Sequence, residues 1–335
     1  GAFEMKPGFM TGDYLINLDS EDEGQLFVSC AGGVRTEATY TVDEEKLPEG
    51  FSTFNLVVKG LTGGHSGDDI NKKRANANKL LVRFLWEQSE KTDLRLCDIQ
   101  AGGLHNAIPR EAHATVAVPT AYVATFGEEL QAFVEKVRDE FSATEPDLTA
   151  VIEPVAAAPT CICKEQAERL LKSLNVVHNG IFAMSQDLEG LVETSSNLAS
   201  VRKHGNQIVA TTSQRSSVAS NLEYMASVVR SAFELGGAKC VTNEGYPGWK
   251  MNPKSEILKV CVDSYKRLFG KDPLVRAIHA GLECGLFSEK YPHLDMVSFG
   301  PTLRGVHSPD ERLLIPTVQM VWDHLLDVLK NVPEK

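Results

Sequence analysis

The chain has 335 residues, 42% of them apolar and 24% charged, with a formal net charge of −11. That length is more than one core usually fills, so two domains are expected. The acidic balance, with no Lys/Arg cluster against it, excludes a nucleic-acid surface of the usual basic kind, and no apolar run approaches the roughly 18–20 residues of a membrane span.

Tyr14-Leu15-Ile16-Asn17-Leu18 reads as a short buried strand that runs into the acidic loop Asp19-Ser20-Glu21-Asp22-Glu23-Gly24. A second strand follows through residues 26–30, and the Gly32-Gly33 pair is the first expected hinge. From about residue 34 the texture changes to alternating stretches, 35–42 and 54–58, of the kind half-buried antiparallel strands carry. Gly60 to Gly67 is a glycine-rich turn holding His65, and it feeds a helix expected over 71–88. Strands over 94–99 and 112–118 follow, joined by Gly102-Gly103-Leu104-His105-Asn106-Ala107-Ile108-Pro109, and then a helix over 127–142. Strand, helix, strand, strand, helix is half of a two-layer α+β sandwich.

After a connector at 156–159 the logic repeats with helices over 164–174 and 217–235 and strands over 193–201, 207–213 and 239–241. The two halves are read as paired lobes of one inserted lid domain, closed by the return hinge Gly245-Tyr246-Pro247-Gly248-Trp249. The rest is α/β: a helix over 255–269, the loop His279-Ala280-Gly281-Leu282-Glu283-Cys284-Gly285, a strand before Gly300, and a final helix over 315–329. The expected division is therefore 1–33, a lid over 34–246, and 247–335. Seven scattered cysteines are read as free thiols of a reducing cytoplasm, with Cys161 and Cys163 structural.

Chemistry is expected where strands end. Asp19 leaves an early strand and His307 follows a late one, so both belong to the split α/β part. Carboxylate oxygen and imidazole nitrogen are what zinc takes when no thiolate is offered, but a catalytic site needs about three protein ligands. His65, on a turn whose glycines allow close backbone approach, can donate to a developing oxyanion. Asn106 and Arg215 can hold a substrate carboxylate, Arg215 through its bidentate fork. Glu283 and His279 share a polar loop suited to substrate contact or to core duty. Each has a plainer reading: Asp19 as a turn-capping carboxylate, His65 as a turn residue bonded to its own loop, the others as surface residues. No Gly-x-Ser-x-Gly elbow, phosphate-binding loop or His-Glu-x-x-His helix competes with this set.

Five stretches occur in order over the whole chain: Asn17-Leu18-Asp19-Ser20-Glu21, Gly60-Leu61-Thr62-Gly63-Gly64-His65-Ser66-Gly67, Asn106-Ala107-Ile108-Pro109-Arg110-Glu111-Ala112, His279 to Gly285, and His307-Ser308-Pro309-Asp310-Glu311-Arg312. Together they resemble the aminoacyl-histidine dipeptidases (Xaa-His dipeptidase, peptidase D) of the two-zinc aminoacylase/carboxypeptidase group. The resemblance implies a split zinc-peptidase domain with an inserted two-lobed lid, and cleavage of unsubstituted dipeptides, notably Xaa-His, in the cytoplasm. It implies two zinc ions, with cobalt or manganese as substitutes, and a homodimer. It matches Asp19 and His307 to metal ligands, His65 to the catalytic oxyanion group, and Asn106, Arg215 and Glu283 to substrate-binding positions.

One part of the family pattern has no counterpart in this sequence: the His-x-Asp and Glu-Glu pairs that supply further ligands, the bridging carboxylate and the general base. The opening Gly1-Ala2-Phe3 resembles residues shortly after the Glu-Glu pair. The catalytic domain is therefore expected to be incomplete here and the isolated chain inactive or nearly so. The alternatives are another two-zinc amidohydrolase, acting on N-acyl amino acids, and a non-catalytic binding or dimerisation fragment.

Overall fold

The computed structural model describes residues 2–186, 188–304 and 311–334. Two sheets organise it. The smaller has four strands in the order Tyr14–Asn17, Asp295–Ser298, Gln25–Cys30, Leu274–Ile278. Its two outer pairs are parallel, and a single pairing of Ser298 with Phe27 joins them.

The larger sheet has nine strands and runs Thr149–Pro154, Phe51–Lys59, Ala112–Pro119, Arg95–Gly102, Val192–His204, Gln207–Ser216, Gly32–Thr41, Lys239–Thr242, with Gly180–Met184 beside Val192–His204. Every pairing in it is antiparallel. The two expected lobes are thus halves of one continuous sheet. They meet where Gly102, Ala101 and Gln100 pair with Ser200, Val201 and Arg202.

Helices α1 (Ala77–Ser89), α2 (Val123–Glu140), α3 (Lys164–Val176) and α4 (Ala219–Leu235) share one core with this sheet, which makes the lid a two-layer α+β structure. Apolar residues at helical spacing put Leu81, Phe84 and Leu85 of α1 and Phe126, Leu130 and Phe133 of α2 into that core. Polar ties cross the seam between the lobes. Asn76 caps α1 by accepting from the Lys79 N–H, and its amide donates to Asn197, Leu198 and Asn179. The Lys79 ammonium donates to the last carbonyls of α3, those of Leu174 and Asn175, and to Val177. A cation is favourable at a helix C-terminus, and here burial pulls its pKa down to about 8.

Helix α1 starts at Ala77, later than the expected 71. The intervening residues are held otherwise, by a short 3-10 turn at Ile70–Lys72, by Lys73 in the left-handed region, and by the Asn76 cap. Buried Glu145 accepts from the N–H groups of Thr62 and Ala75, tying the start of the glycine-rich turn to the residues just before α1.

Gly32 and Gly33, expected as a free hinge, begin a ten-residue strand instead. Residues 30–33 run antiparallel to the return segment 246–249. Cys30 exchanges both backbone hydrogen bonds with Trp249, and Gly33 does so with Tyr246. Against the small sheet lie α5 (Glu256–Phe269), α6 (Glu283–Lys290) and α7 (Ile315–Asn331). Helix α7 leaves Ile315, Val318, Trp322, Leu326 and Leu329 exposed in a row at helical spacing. No helix among the described residues is long and apolar enough to cross a membrane. All seven cysteines are free.

Candidate active site

The turn that carries His65 is built by a two-residue ladder in which Gly64 and His65 pair with Ile108 and Ala107. This ladder sets the Asn106 loop against the His65 turn, and the Ser66 N–H donates to the Asn106 carbonyl. The Asn106 side chain itself is exposed. Asn197, from the second lobe, donates to the Ala107 carbonyl and fixes the loop from the other side. At the base of the turn, Asp69 accepts from the His65 N–H and is flanked by Lys72 and Arg74. Asp69 is half-buried; desolvation works against its charged form, but the hydrogen bonds it accepts from Lys72 and the His65 N–H and the Arg74 charge outweigh that and lower its pKa.

Among the described residues the His65 ring nitrogens meet Asp68 and Arg215. Its Nδ1 accepts from the Asp68 N–H at 3.2 Å and lies 3.4 Å from the Asp68 carboxylate. Its Nε2 lies 3.4 Å from Nη2 of Arg215. The plainer expectation, a turn histidine bonded to its own loop, therefore describes one face of the ring only.

Arg215 is only 8% exposed. Its Nη1 donates to the Tyr246 hydroxyl at 2.7 Å, while its Nε is buried with no partner among the described residues. No carboxylate pairs with this guanidinium among the described residues. An unpaired buried cation is expensive to keep. His279, from the small-sheet part, reaches the same place. Its Nε2 shares a 2.7 Å hydrogen bond with Ser195, the residue opposite Arg215 on the neighbouring strand. Burial and then the Arg215 charge push the His279 pKa down to about 3, so the ring is neutral at neutral pH. Gly67 lies under this cluster. A Cβ there would collide with the His279 carbonyl and stand 3.1 Å from the His65 ring and 3.2 Å from Arg215 Nε. Only glycine lets the turn approach this closely.

Asp19 is exposed at the C-terminal end of strand Tyr14–Asn17, and its N–H donates to Asn17. The next residue anchors the loop: Ser20 is hydrogen-bonded to Ser298, and Ser298 to Asn17, both in the interior. Glu283 is exposed at the first residue of α6. Burial, then Cys30, and after them the Glu283 and Asp19 carboxylates push the neighbouring Cys284 thiol up to about 12. The loop 279–285 thus carries His279 into the Arg215 cluster at one end and leads to exposed Glu283, at the start of α6, at the other.

His307 lies outside the described residues. The hairpin flanking it is described: Leu303–Arg304 pairs with Arg312–Leu313, and Leu303 and Arg304 bind the Glu21 carbonyl and Asp22 beside Asp19. Among the described residues no group of three His, Cys, Asp or Glu could hold a metal. Asp19 has the exposure and donor type of a single ligand, but a complete centre needs about three. The described residues therefore fit part of such a centre and do not form one.

Sequence reasoning passed over three contributors. In the sequence Tyr246 stands out only as part of the return hinge and Ser195 only as part of the strand over 193–201, while Asp68 carries no signal of its own. The glycines packed around Tyr246 were the available signal.

Residues 49–147, most of the first lobe, match the M20_dimer family, a peptidase dimerisation domain. Over 335 residues the chain is 41% identical to the cytosol non-specific dipeptidase of Escherichia coli (strain K12), covering 100% of this chain and 69% of that protein. It superposes on the aminoacylhistidine dipeptidase of Vibrio alginolyticus with a TM-score of 0.96 and 41% identity, covering 100% of this chain and 68% of the other. The sheet pair and the inserted lid are those of a peptidase. The chain belongs to the aminoacyl-histidine dipeptidase family of M20 peptidases.

Proposed function

We propose that the chain provides the lid and the substrate-binding face of a metal-dependent dipeptidase acting on unsubstituted dipeptides, Xaa-His among them. The observation that carries this is Arg215, buried, beside His65, and without a carboxylate partner among the described residues. A peptide C-terminus is the anion that would complete it, through paired N–H···O bonds. With a carboxylate on Arg215, His65 Nε2 is released from the guanidinium and is free to donate to the oxyanion of the attacked carbonyl. Asn106 and Glu283 are assigned as further substrate contacts, and the chain is divided into a first catalytic part at 1–33, the lid at 34–246 and the second catalytic part at 247–335.

Asp19 and His307 are assigned as metal ligands, with zinc the expected metal; when bound, it supplies an activated water and polarises the scissile carbonyl. As only two of the required ligands, they support the expectation that the chain alone turns over little or no dipeptide. The match to a peptidase dimerisation domain supports a homodimer, and the cytosol dipeptidase relative supports a cytoplasmic location.

Calorimetric titration of Ala-His, Ala-His amide and N-acetyl-alanine into the chain tests the reading. Saturable binding of Ala-His is expected, with the amide about tenfold weaker or worse, since a hydrogen bond to a charged group is worth roughly 1.5–3 kcal/mol. Equal affinity for acid and amide would contradict it, and tighter binding of N-acetyl-alanine would favour the N-acyl amidohydrolase.

A further inference from the structure

The register of the large sheet places four residues in a row. Ser195 lies opposite Arg215, Arg215 opposite Gly33, and Gly33 opposite Tyr246. Because the third position has no side chain, the Tyr246 ring folds back over the sheet and meets the guanidinium. A Cβ on Gly33 would stand 2.7 Å from the Tyr246 hydroxyl, and one on Gly281 would stand 2.8 Å from the far edge of the ring. Tyr246 therefore lies in a slot between a lid strand and the loop that carries His279 and Glu283. Arg215 and Tyr246 also line one wall of a cleft of about 220 Å³ with Gly33, His105 and Asn243.

We propose that Tyr246 is the positioning residue for Arg215, its hydroxyl holding Nη1 so that the Nε and Nη2 edge is the one presented to the substrate carboxylate. This rests on the reading that Arg215 receives that carboxylate. A guanidinium has five donors and two usable edges for a bidentate partner. Occupying Nη1 with a neutral oxygen at 2.7 Å removes one of those edges without supplying a competing anion. What remains, among the described residues, is the buried Nε without a partner and an Nη2 whose contact is the long one with His65.

The readout is the 15N–1H signal of the Arg215 side-chain Nε, assigned by its loss in Arg215→Lys, followed while Ala-His or Ala-His amide is added to the full chain. In the wild-type chain the signal is expected to exchange slowly with solvent and to shift with Ala-His. In Tyr246→Phe, faster exchange and about tenfold weaker Ala-His binding are expected, that being the fold-change for one lost hydrogen bond to a charged group. The response to the amide should not change. Gly281→Ala, which crowds the ring without touching the hydroxyl, should weaken Ala-His in the same selective way and serves if Tyr246→Phe fails to fold. Undiminished Ala-His binding in both variants would overturn the assignment of Tyr246 and leave the carboxylate reading standing. Equal loss for acid and amide would make Tyr246 merely structural and would also overturn it. A wild-type signal indifferent to both peptides would overturn the carboxylate reading and this proposal with it.

Discussion

Replacing Arg215 with methionine is expected to weaken Ala-His binding by about thirtyfold or more without lowering the stability of the fold. The two effects have opposite causes. Losing the buried charged partner of a carboxylate costs about 2–5 kcal/mol of binding, roughly 30- to several-thousand-fold. In the absence of ligand, however, the same guanidinium is a buried cation facing a hydroxyl and an imidazole. An apolar side chain of similar length removes that desolvation cost and gives up one hydrogen bond to Tyr246. The thermal midpoint should therefore hold or rise while binding collapses, as expected of a residue kept for its ligand. Calorimetry and thermal unfolding of the same preparation check both. Unchanged Ala-His affinity would remove Arg215 from the site, and a large fall in the midpoint would make it structural.

The second large effect is expected from acid. His279 is buried against Ser195 and beside Arg215, with its pKa pushed from the ordinary 6.5 down to about 3, chiefly by burial. Between those values the unfolded chain binds a proton that the folded chain refuses, so stability rises with pH across the window. The contribution is complete above pH 6.5 and drains away as pH falls toward 3, by roughly 3–5 kcal/mol at the full extent of the shift. His178 and His324 are also lowered by burial and add slopes of the same sign, so the wild-type chain alone does not isolate His279. His279→Gln keeps a polar group near Ser195 and cannot charge. Urea unfolding at pH 7, 6 and 5 should show the wild-type midpoint falling more steeply than that of the variant. Parallel slopes would mean that His279 already protonates freely in the folded state.

Much of this was readable in the residues. Leu81, Phe84 and Leu85 mark α1 by spacing alone, and the Gly63-Gly64-His65-Ser66-Gly67 turn sits where strand gives way to helix. The start of α1 was not readable, because capping by Asn76 and the clamp of Glu145 are tertiary. Nor was the single sheet. The seam at Gly102 and Ser200 depends on pairing between strands about a hundred residues apart, which no local pattern encodes. Helix α6 was hidden because eight residues with glycine at 285 look like the loop before them. In the site, residue types identified Asp19, His65 and Arg215 as candidates, but the convergence of His65, Arg215, Tyr246 and His279 depends on register. Gly33 illustrates this. As sequence it reads as a flexible joint, and in the fold it is the gap that lets Tyr246 reach Arg215.

The decisive measurement is hydrolysis of Ala-His by the 335-residue chain loaded with zinc, run beside a preparation purified identically from cells lacking the expression plasmid. If Asp19 and His307 are two ligands of a larger set and the lid supplies recognition, turnover should stay at the background of that control. Robust turnover above the control, tracking the purified chain through a further column, would contradict the assignment of this chain as the binding face of an incomplete centre.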